Sequence, residues 1–289
     1  MERREFIVGG AVALFAGTLP ARSSASADAS APFTEVEAQL GGRIGVAALD
    51  TATGARLARR SGERFAMCST FKCLLAAAVL AKADGGVVDL ARRLSVAPKD
   101  LLANSPVTES HIREGALSIK ALCAAAVEVS DNTAANALLT LIGGPQALTR
   151  YLRTIGDPVT RLDRFELSLN TNLPGDPRDT TTPDAMIATM RKVLVGNALS
   201  ADSRTMLIEW LKNCQTGSQR IRAGLPKSWT VGDKTGTGAN GAANDIAIVW
   251  PPMRPPLLIA AYCDNSRATA DALNAAHAQI GRIVAAAFA

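Results

Sequence analysis

The sequence predicts an α/β fold, in which an antiparallel five-stranded sheet flanked by helices is built from both chain ends and an all-helical domain is inserted between them. Strand patterns occur near the start, over residues 43–59, and return only over residues 229–263, whereas the segment between them has helical periodicity. Because strands from both ends must share one sheet, we expect an α/β domain of residues 28–60 plus 212–289 and a helical domain of residues 61–211.

The first predicted elements are a helix and a β-hairpin. A helical apolar face over residues 33–40 ends at Gly41-Gly42, as helices commonly do at glycine. Strand patterns over residues 43–50 and 55–59 flank a short turn. The hairpin therefore supplies two of the five strands.

The middle of the chain is predicted to be helical, with one long polar connection. The helical patterns cover residues 71–83, 118–128, 133–141, 145–155, 183–195 and 200–213. The connection over residues 161–182 contains Pro174, Gly175 and Pro177. A connection of this length inside a compact domain is usually functional or disordered.

The last part of the chain returns to strands and closes with a helix. Short apolar runs separated by turn residues cover residues 229–234, 245–250 and 257–263. A final helical pattern covers residues 268–288. These runs are the remaining three strands of the predicted sheet.

The N-terminus has the pattern of an export signal. Arg3-Arg4 precedes an apolar stretch over residues 7–19, and Ala25-Ser26-Ala27 is a small-x-small cleavage site. The stretch is shorter than the ~20 residues that a membrane-spanning helix needs. We predict that residues 1–27 are a twin-arginine signal peptide, with an ordinary secretory signal as the alternative. Either route predicts a periplasmic protein without a stable membrane anchor.

Composition argues against several other functions. The formal net charge is +5, but the basic residues are dispersed and aromatic residues make up 4%, so we expect no nucleic-acid partner. His111 and His277 are interpreted as surface or packing residues, and without a Cys/His cluster we expect no metal and no cofactor. The five cysteines have no metal-binding spacing, and we predict no disulfide.

Three short motifs supply the polar groups of a serine acyl-transfer site that lacks histidine. They are Ser69-Thr70-Phe71-Lys72, Ser130-Asp131-Asn132 and Lys234-Thr235-Gly236. A serine hydroxyl needs a base to become a nucleophile, and Lys72 shares a helix face with Ser69 because it lies three residues later. Burial in the apolar helix would lower the pKa of Lys72 and suit it to act as that base.

Each motif alone also has an ordinary structural interpretation. Lys72 could be a solvated helix residue, and Ser130 with Asp131 could cap the following helix. Lys234 could be a charge at a strand edge that prevents aggregation. The order of the three motifs, with Glu166 in the polar connection between the second and third, favours catalysis over these interpretations.

With these motifs, the chain resembles the class A serine β-lactamases over nearly all of its predicted mature length. The resemblance extends to Arg164-Phe165-Glu166 with Asn170, to residues 178–181 and to residues 220–224. It implies a β-lactamase/transpeptidase-like fold, a small-molecule β-lactam substrate and a monomer. The penicillin-binding peptidases share the three motifs but lack a deacylating base, so Glu166 favours a hydrolase over a D-Ala-D-Ala peptidase or a non-catalytic β-lactam sensor.

The resemblance also implies a role for each site residue. Ser69 would be the nucleophile, Lys72 or Glu166 through a water its base, and Ser130 the proton donor to the leaving nitrogen. The backbone N–H groups of Ser69 and Thr237 would form the oxyanion hole, and Glu166 would activate the hydrolytic water. The implied substrate-binding residues are Asn104, Asn132, Asn170, Arg220, Lys234, Thr235, Gly236 and Thr237.

The sequence departs from the family pattern at a few positions. Leu167 follows the loop glutamate where many relatives have proline, and Arg220 stands in for an arginine that relatives place on the strand after Lys-Thr-Gly. Asn104 replaces a frequent aromatic at the cleft edge. Cys68 also occurs in relatives that hydrolyse carbapenems, but Gly238 replaces their second cysteine, so carbapenem hydrolysis stays open beside that of penicillins and cephalosporins.

Overall fold

The computed structural model describes Met1 and residues 31–289, so the predicted signal peptide 1–27 lies outside the described residues apart from Met1. The central element is an antiparallel five-stranded sheet in the order β2-β1-β9-β8-β7. Its strands are β1 (Arg43–Asp50), β2 (Arg56–Arg59), β7 (Thr230–Thr237), β8 (Ala243–Trp250) and β9 (Leu257–Asp264). β1 pairs with β9 along its whole length, from Arg43 opposite Asp264 to Asp50 opposite Leu257. The sheet is therefore built from both chain ends, as predicted.

Helices surround the sheet and the central helix α2. They are α1 (Ala31–Leu40), α2 (Phe71–Asp84), α3 (Pro106–Ser110), α4 (Ile119–Glu128), α5 (Asn132–Ile142), α6 (Pro145–Thr154), α7 (Pro183–Met190), α8 (Ala201–Lys212), α9 (Ile221–Gly224) and α10 (Ala270–Phe288). We propose that the domain limits stay at residues 28–60 plus 212–289 and 61–211, because β2 and α8 end at these points. None of the helices in the described ranges could cross a membrane.

The sheet is covered on both faces, and its side chains alternate between two cores. Ile44, Val46 and Ala48 of β1 join the core beneath α1 and α10. Ala47 and Leu49 join the larger core that contains α2, because successive side chains of a strand point to opposite faces. Phe71 to Leu80 of α2 are all buried, which is typical of a helix that is apolar all round. Lys72 is thus carried into the protein interior.

Some helices and strands begin or end at other residues than the sequence predicted, because tertiary contacts set their limits. β7 continues past Lys234 to Thr237, and β8 begins at Ala243, because these residues pair with each other across the sheet. The segment predicted as one helix over residues 183–195 is an α-helix to Met190 and a π-helix from Arg191 to Val195. Two short ribbons were not predicted: β3 (Phe65–Ala66) with β6 (Thr180–Thr181), and β4 (Arg93–Ser95) with β5 (Ala116–Ser118).

We expect His277 to make the protein sensitive to acid. Its side chain is fully buried on α10, and burial followed by the charge of Arg220 lowers its pKa from 6.5 to about 4. In the unfolded chain, His277 binds a proton as the pH falls below its ordinary pKa of 6.5, whereas in the folded chain it does so only near pH 4. Stability is therefore lost as the pH falls from about 6.5 to about 4, by about 3 kcal/mol.

Denaturant unfolding at pH 7 and pH 4 measures this effect. His277→Leu should lose about 3 kcal/mol less than the parent over that interval, because leucine binds no proton. His111→Leu is the matched control, since His111 is only partly buried. An equal acid-induced loss in the parent and His277→Leu would contradict the assignment.

Candidate active site

Ser69 lies in a tight turn that leads directly into α2. Cys68–Thr70 form one 3₁₀ turn, and Cys68 has a φ of 45°. Lys72 follows in the first turn of α2, and its Nζ lies 3.0 Å from Ser69 Oγ. The Ser-x-x-Lys spacing thus places the amine beside the hydroxyl, as the sequence predicted.

The Lys72 ammonium group is fully buried among oxygen atoms. It donates to the Ser130 carbonyl oxygen at 2.8 Å and to Asn132 Oδ1 at 2.5 Å, and it lies 3.0 Å from Glu166 Oε1. Burial lowers the pKa of Lys72, and the negative charge of Glu166 opposes that shift. The neighbouring carboxylate therefore controls how readily Lys72 releases a proton.

In the Ser130-Asp131-Asn132 segment, one residue caps a helix and the other two contact Lys72. Asp131 caps α5 by accepting from the backbone N–H of Ala134 at 2.9 Å, so the capping interpretation is correct for this residue. Ser130 has a φ of 61° and lies with Asn132 against Lys72. The cap orients the turn that brings the two side chains into the site.

Lys234 completes a pair of buried cations around Ser130. Its Nζ donates to Ser130 Oγ at 3.0 Å, and Lys72 Nζ lies 3.3 Å from the same oxygen. Burial and the charge of Lys72 lower the pKa of Lys234 to about 8. The Ser130 hydroxyl lies between two amines and can exchange a proton with either.

Glu166 is held by side chains on both sides. Asn170 Nδ2 donates to its Oε2 at 2.6 Å, and its Oε1 lies 3.4 Å from Ser69 Oγ. The peptide bond from Glu166 to Leu167 is cis, so this loop keeps a cis bond without proline. The carboxylate therefore faces both the nucleophile and Lys72.

Asn136 is a positioning residue that the sequence reasoning missed. Its Nδ2 donates to the Glu166 carbonyl oxygen, and its Oδ1 accepts from the Glu166 N–H, both at 2.9 Å. The available signal was a second side-chain amide one turn after Asn132, on the same face of the predicted helix. Only the packing of the loop on α5 shows its partner.

An ion pair closes the base of the Glu166 loop. Arg164 Nε donates to Asp179 Oδ2 at 2.6 Å, and Asp179 is fully buried. Asp179 Oδ1 also accepts from the backbone N–H groups of Asp163 and Arg164, at 2.7 and 3.0 Å. The polar connection predicted from the sequence is thus an ordered loop with closed ends.

Arg220 reaches the edge of β7 beside the Lys-Thr-Gly segment. Its Nη1 donates to the carbonyl oxygens of Gly236 and Asn244, at 2.8 and 2.7 Å. Its Nη2 donates to Thr237 Oγ1 at 2.7 Å, and its Nε to Asn274 Oδ1 at 3.0 Å. Four hydrogen bonds fix the guanidinium next to the exposed Thr237.

Gly236 is required by a close approach within the protein. A Cβ there would lie 2.7 Å from the Met67 carbonyl oxygen and 3.1 Å from the Ser69 nitrogen. Glycine at this position therefore allows β7 to contact the turn that carries Ser69. Thr235 Oγ1 lies 2.5 Å from Thr216 Oγ1.

Asn104 supports the turn at Ser130. It has a φ of 57°, and its exposed side chain donates to the Ser130 carbonyl oxygen at 3.2 Å. Its own carbonyl oxygen accepts from the Asn132 N–H at 3.1 Å. Asn104 thus lies beside the predicted site at the surface of the protein.

Histidine, cysteine and acidic side chains are those that could form metal-binding clusters, and cysteines could form disulfides. Over the described residues, no cluster of three histidine, cysteine, aspartate or glutamate side chains could hold a metal ion. The five cysteines are buried and unpaired. Burial raises the pKa of the Cys68 thiol to about 12, so next to Ser69 it stays protonated.

The sequence and the fold of this chain match those of known proteins. A model of the β-lactamase enzyme family matches residues 29–288. β-Lactamase CTX-M-8 of Citrobacter amalonaticus is 42% identical over 284 residues, 98% of this chain and 97% of its own. β-Lactamase OXY-1 of Klebsiella oxytoca is 47% identical over 239 residues, 82% of each chain. The solved class A β-lactamase GNCA4, from the last common ancestor of Gram-negative bacteria, is 56% identical with a TM-score of 0.89, covering 91% of this chain and 100% of that one. This chain therefore belongs to the class A β-lactamases, the serine hydrolases that open β-lactams.

Proposed function

We propose that the protein hydrolyses penicillins and cephalosporins through an acyl-enzyme on Ser69, which water activated by Glu166 then releases. The observation that carries the proposal is the position of the Glu166 carboxylate, 3.4 Å from Ser69 Oγ and 3.0 Å from Lys72 Nζ. A general base within hydrogen-bonding reach of the acylated oxygen can deliver water to the ester. A D-Ala-D-Ala peptidase would not need this carboxylate.

In the proposed acylation step, Ser69 Oγ attacks the lactam carbonyl carbon as Lys72, or Glu166 through a water, takes its proton. The backbone N–H groups of Ser69 and Thr237 stabilise the oxyanion. The C–N bond of the lactam then breaks, and Ser130 donates a proton to the nitrogen. Its position between Lys72 and Lys234 supports this role, since either amine can restore the proton.

In the proposed binding mode, the substrate carboxylate lies at the end of β7 and the acylamide chain lies across the cleft. Buried Lys234 and hydrogen-bonded Arg220 supply positive charge for the carboxylate. Asn132, which contacts Lys72, and Asn170, which contacts Glu166, supply side-chain amide groups for the acylamide chain. The further residues proposed to line these two regions are Asn104, Thr235, Gly236 and Thr237.

Mixing the intact protein with benzylpenicillin tests this function. We expect a transient mass increase equal to the whole drug, located at Ser69 by peptide mapping, and release of the ring-opened product. An oxyimino-cephalosporin and a carbapenem complete the panel, because Cys68 keeps carbapenem turnover open. Acylation without product release, or faster cleavage of a D-Ala-D-Ala peptide than of penicillin, would contradict the proposal.

Binding of the substrate carboxylate should weaken as the pH rises through about 8. That is the pKa to which burial and the charge of Lys72 lower Lys234, so the ammonium loses its charge above it. A hydrogen bond to a charged group contributes about 1.5–3 kcal/mol, so kcat/KM should fall by about tenfold or more. The measurement is the pH profile for benzylpenicillin, with Lys234→Arg as the control. Arginine does not titrate in this range, so an unchanged fall in the variant would assign it to another group.

We also propose that the chain is exported to the periplasm and acts there as a monomer. Arg3-Arg4, the short apolar stretch and the Ala25-Ser26-Ala27 cleavage site support a twin-arginine signal peptide over residues 1–27. Replacing Arg3-Arg4 by lysines should retain the unprocessed protein in the cytoplasm. Continued export of that variant would favour an ordinary secretory signal instead.

A further inference from the structure

A cavity lies beside α5, and none of the residues proposed to touch the substrate lines it. It has a volume of about 780 Å³, within the range of small-molecule sites. One face of α5 forms a wall, through Thr133, Ala137 and Leu141 at successive helical turns. Segments 92–102 and Phe165 form the other sides.

The lining combines an apolar body with unpaired positive charge. Leu94, Leu141 and Phe165 are apolar, and Phe165 is 40% exposed. Arg92 and Lys99 also line the cavity and are exposed, and neither side chain has an ion pair or hydrogen bond within residues 31–289. Asp100 contributes one opposing carboxylate. Two free cations against one anion favour a ligand with a negative group and an aromatic or alicyclic body.

The cavity shares a wall with the support of Glu166. Asn136 lines it, and the same side chain makes both hydrogen bonds to the Glu166 backbone, at 2.9 Å each. Phe165, the residue before Glu166, lines it as well. A ligand that moves either residue would shift the Glu166 carboxylate relative to Ser69. Misplacement of a catalytic group by about 1 Å can slow the step that it serves by about 10²-fold.

We propose that this cavity binds a small amphipathic anion and that the bound ligand slows deacylation through Asn136 and Phe165. The second half rests on the proposed role of Glu166 in deacylation. The first half stands on the cavity, its apolar lining and its two unpaired cations.

Fluorescence titration with anilinonaphthalene sulfonate, an aromatic anion, tests the site. We expect one molecule to bind per protein, and the double variant Arg92→Glu, Lys99→Glu to bind at least about tenfold more weakly, because two attractions become repulsions. The matched control reverses Lys82 and Arg150, two cations without an ion pair that line a separate cavity of about 540 Å³. Absence of binding, or weakening only in the control, would overturn the proposal.

A second measurement separates this cavity from the catalytic cleft. The Glu166→Ala variant is acylated with benzylpenicillin and freed of unbound drug, and the probe is titrated again. Unchanged affinity supports a separate site, whereas loss of binding would place the probe in the cleft and overturn the proposal. If this variant turns over normally, the role of Glu166 fails, but the titration on the unacylated protein still decides the site.

Stopped-flow kinetics test the coupling. With saturating probe, we expect the parent to deacylate more slowly while its acylation rate stays unchanged. In the double variant Arg92→Glu, Lys99→Glu, we expect the probe to change neither rate. That variant touches no residue of the proposed catalytic site. Unchanged deacylation in the parent at saturation would overturn the coupling.

Discussion

In the Glu166→Ala variant, benzylpenicillin should acylate Ser69, but the acyl-enzyme should then fail to hydrolyse. Removing a general base typically costs about 10²–10⁴-fold in the step that it serves, and here that step is deacylation. Acylation should persist because Lys72 Nζ stays 3.0 Å from Ser69 Oγ. The Glu166 charge raises the pKa of Lys72, so its loss leaves more of the amine neutral and able to take the serine proton.

Intact-mass spectrometry over time measures this result as a stable adduct on Ser69 in the variant and a transient one in the parent. Asp176→Ala is the matched control, because Asp176 is a carboxylate of the same loop whose partner is Arg178. The control should turn over normally. Normal turnover by Glu166→Ala would remove Glu166 from the mechanism.

The second large effect is expected for Lys72→Met, which should lose acylation by about 10²–10⁴-fold. Methionine keeps much of the length of the side chain and tolerates the buried position, but it has no amine to accept the Ser69 proton. It also removes the charge that pairs with Glu166 at 3.0 Å. The measurement is the single-turnover acylation rate with benzylpenicillin, with circular dichroism as the check on folding.

Lys82→Met is the control, since Lys82 lies in the last turn of the same helix and away from Ser69. The pair of variants decides which group is the acylation base. Slow acylation in Lys72→Met together with normal acylation in Glu166→Ala assigns that role to Lys72. Acylation retained in Lys72→Met and lost in Glu166→Ala would assign it to Glu166 through a water.

The elements that sequence patterns predicted well are those fixed by local spacing. The sheet strands and the long helices follow from periodicity, and their errors lie at the ends, as at Thr237 and Met190. The short ribbon that joins Phe65 to Thr181 had no such signal, because its pairing depends on contacts far apart in sequence. Register between distant segments is set by packing of the whole domain.

The sequence by itself determined which residues are candidates for the proposed chemistry. Ser69 and Lys72 lie three residues apart, so helical geometry alone predicts that they meet. Glu166 in the polar connection favoured a hydrolase over a peptidase. Only the tertiary structure decided how Ser130 lies between Lys72 and Lys234 and how Asn136 holds the Glu166 backbone. Tertiary structure also lowered the pKa of Lys234 to about 8. The physical reason is that these hydrogen bonds and the burial of Lys234 depend on contacts between segments far apart in the chain. Local sequence patterns do not predict such contacts.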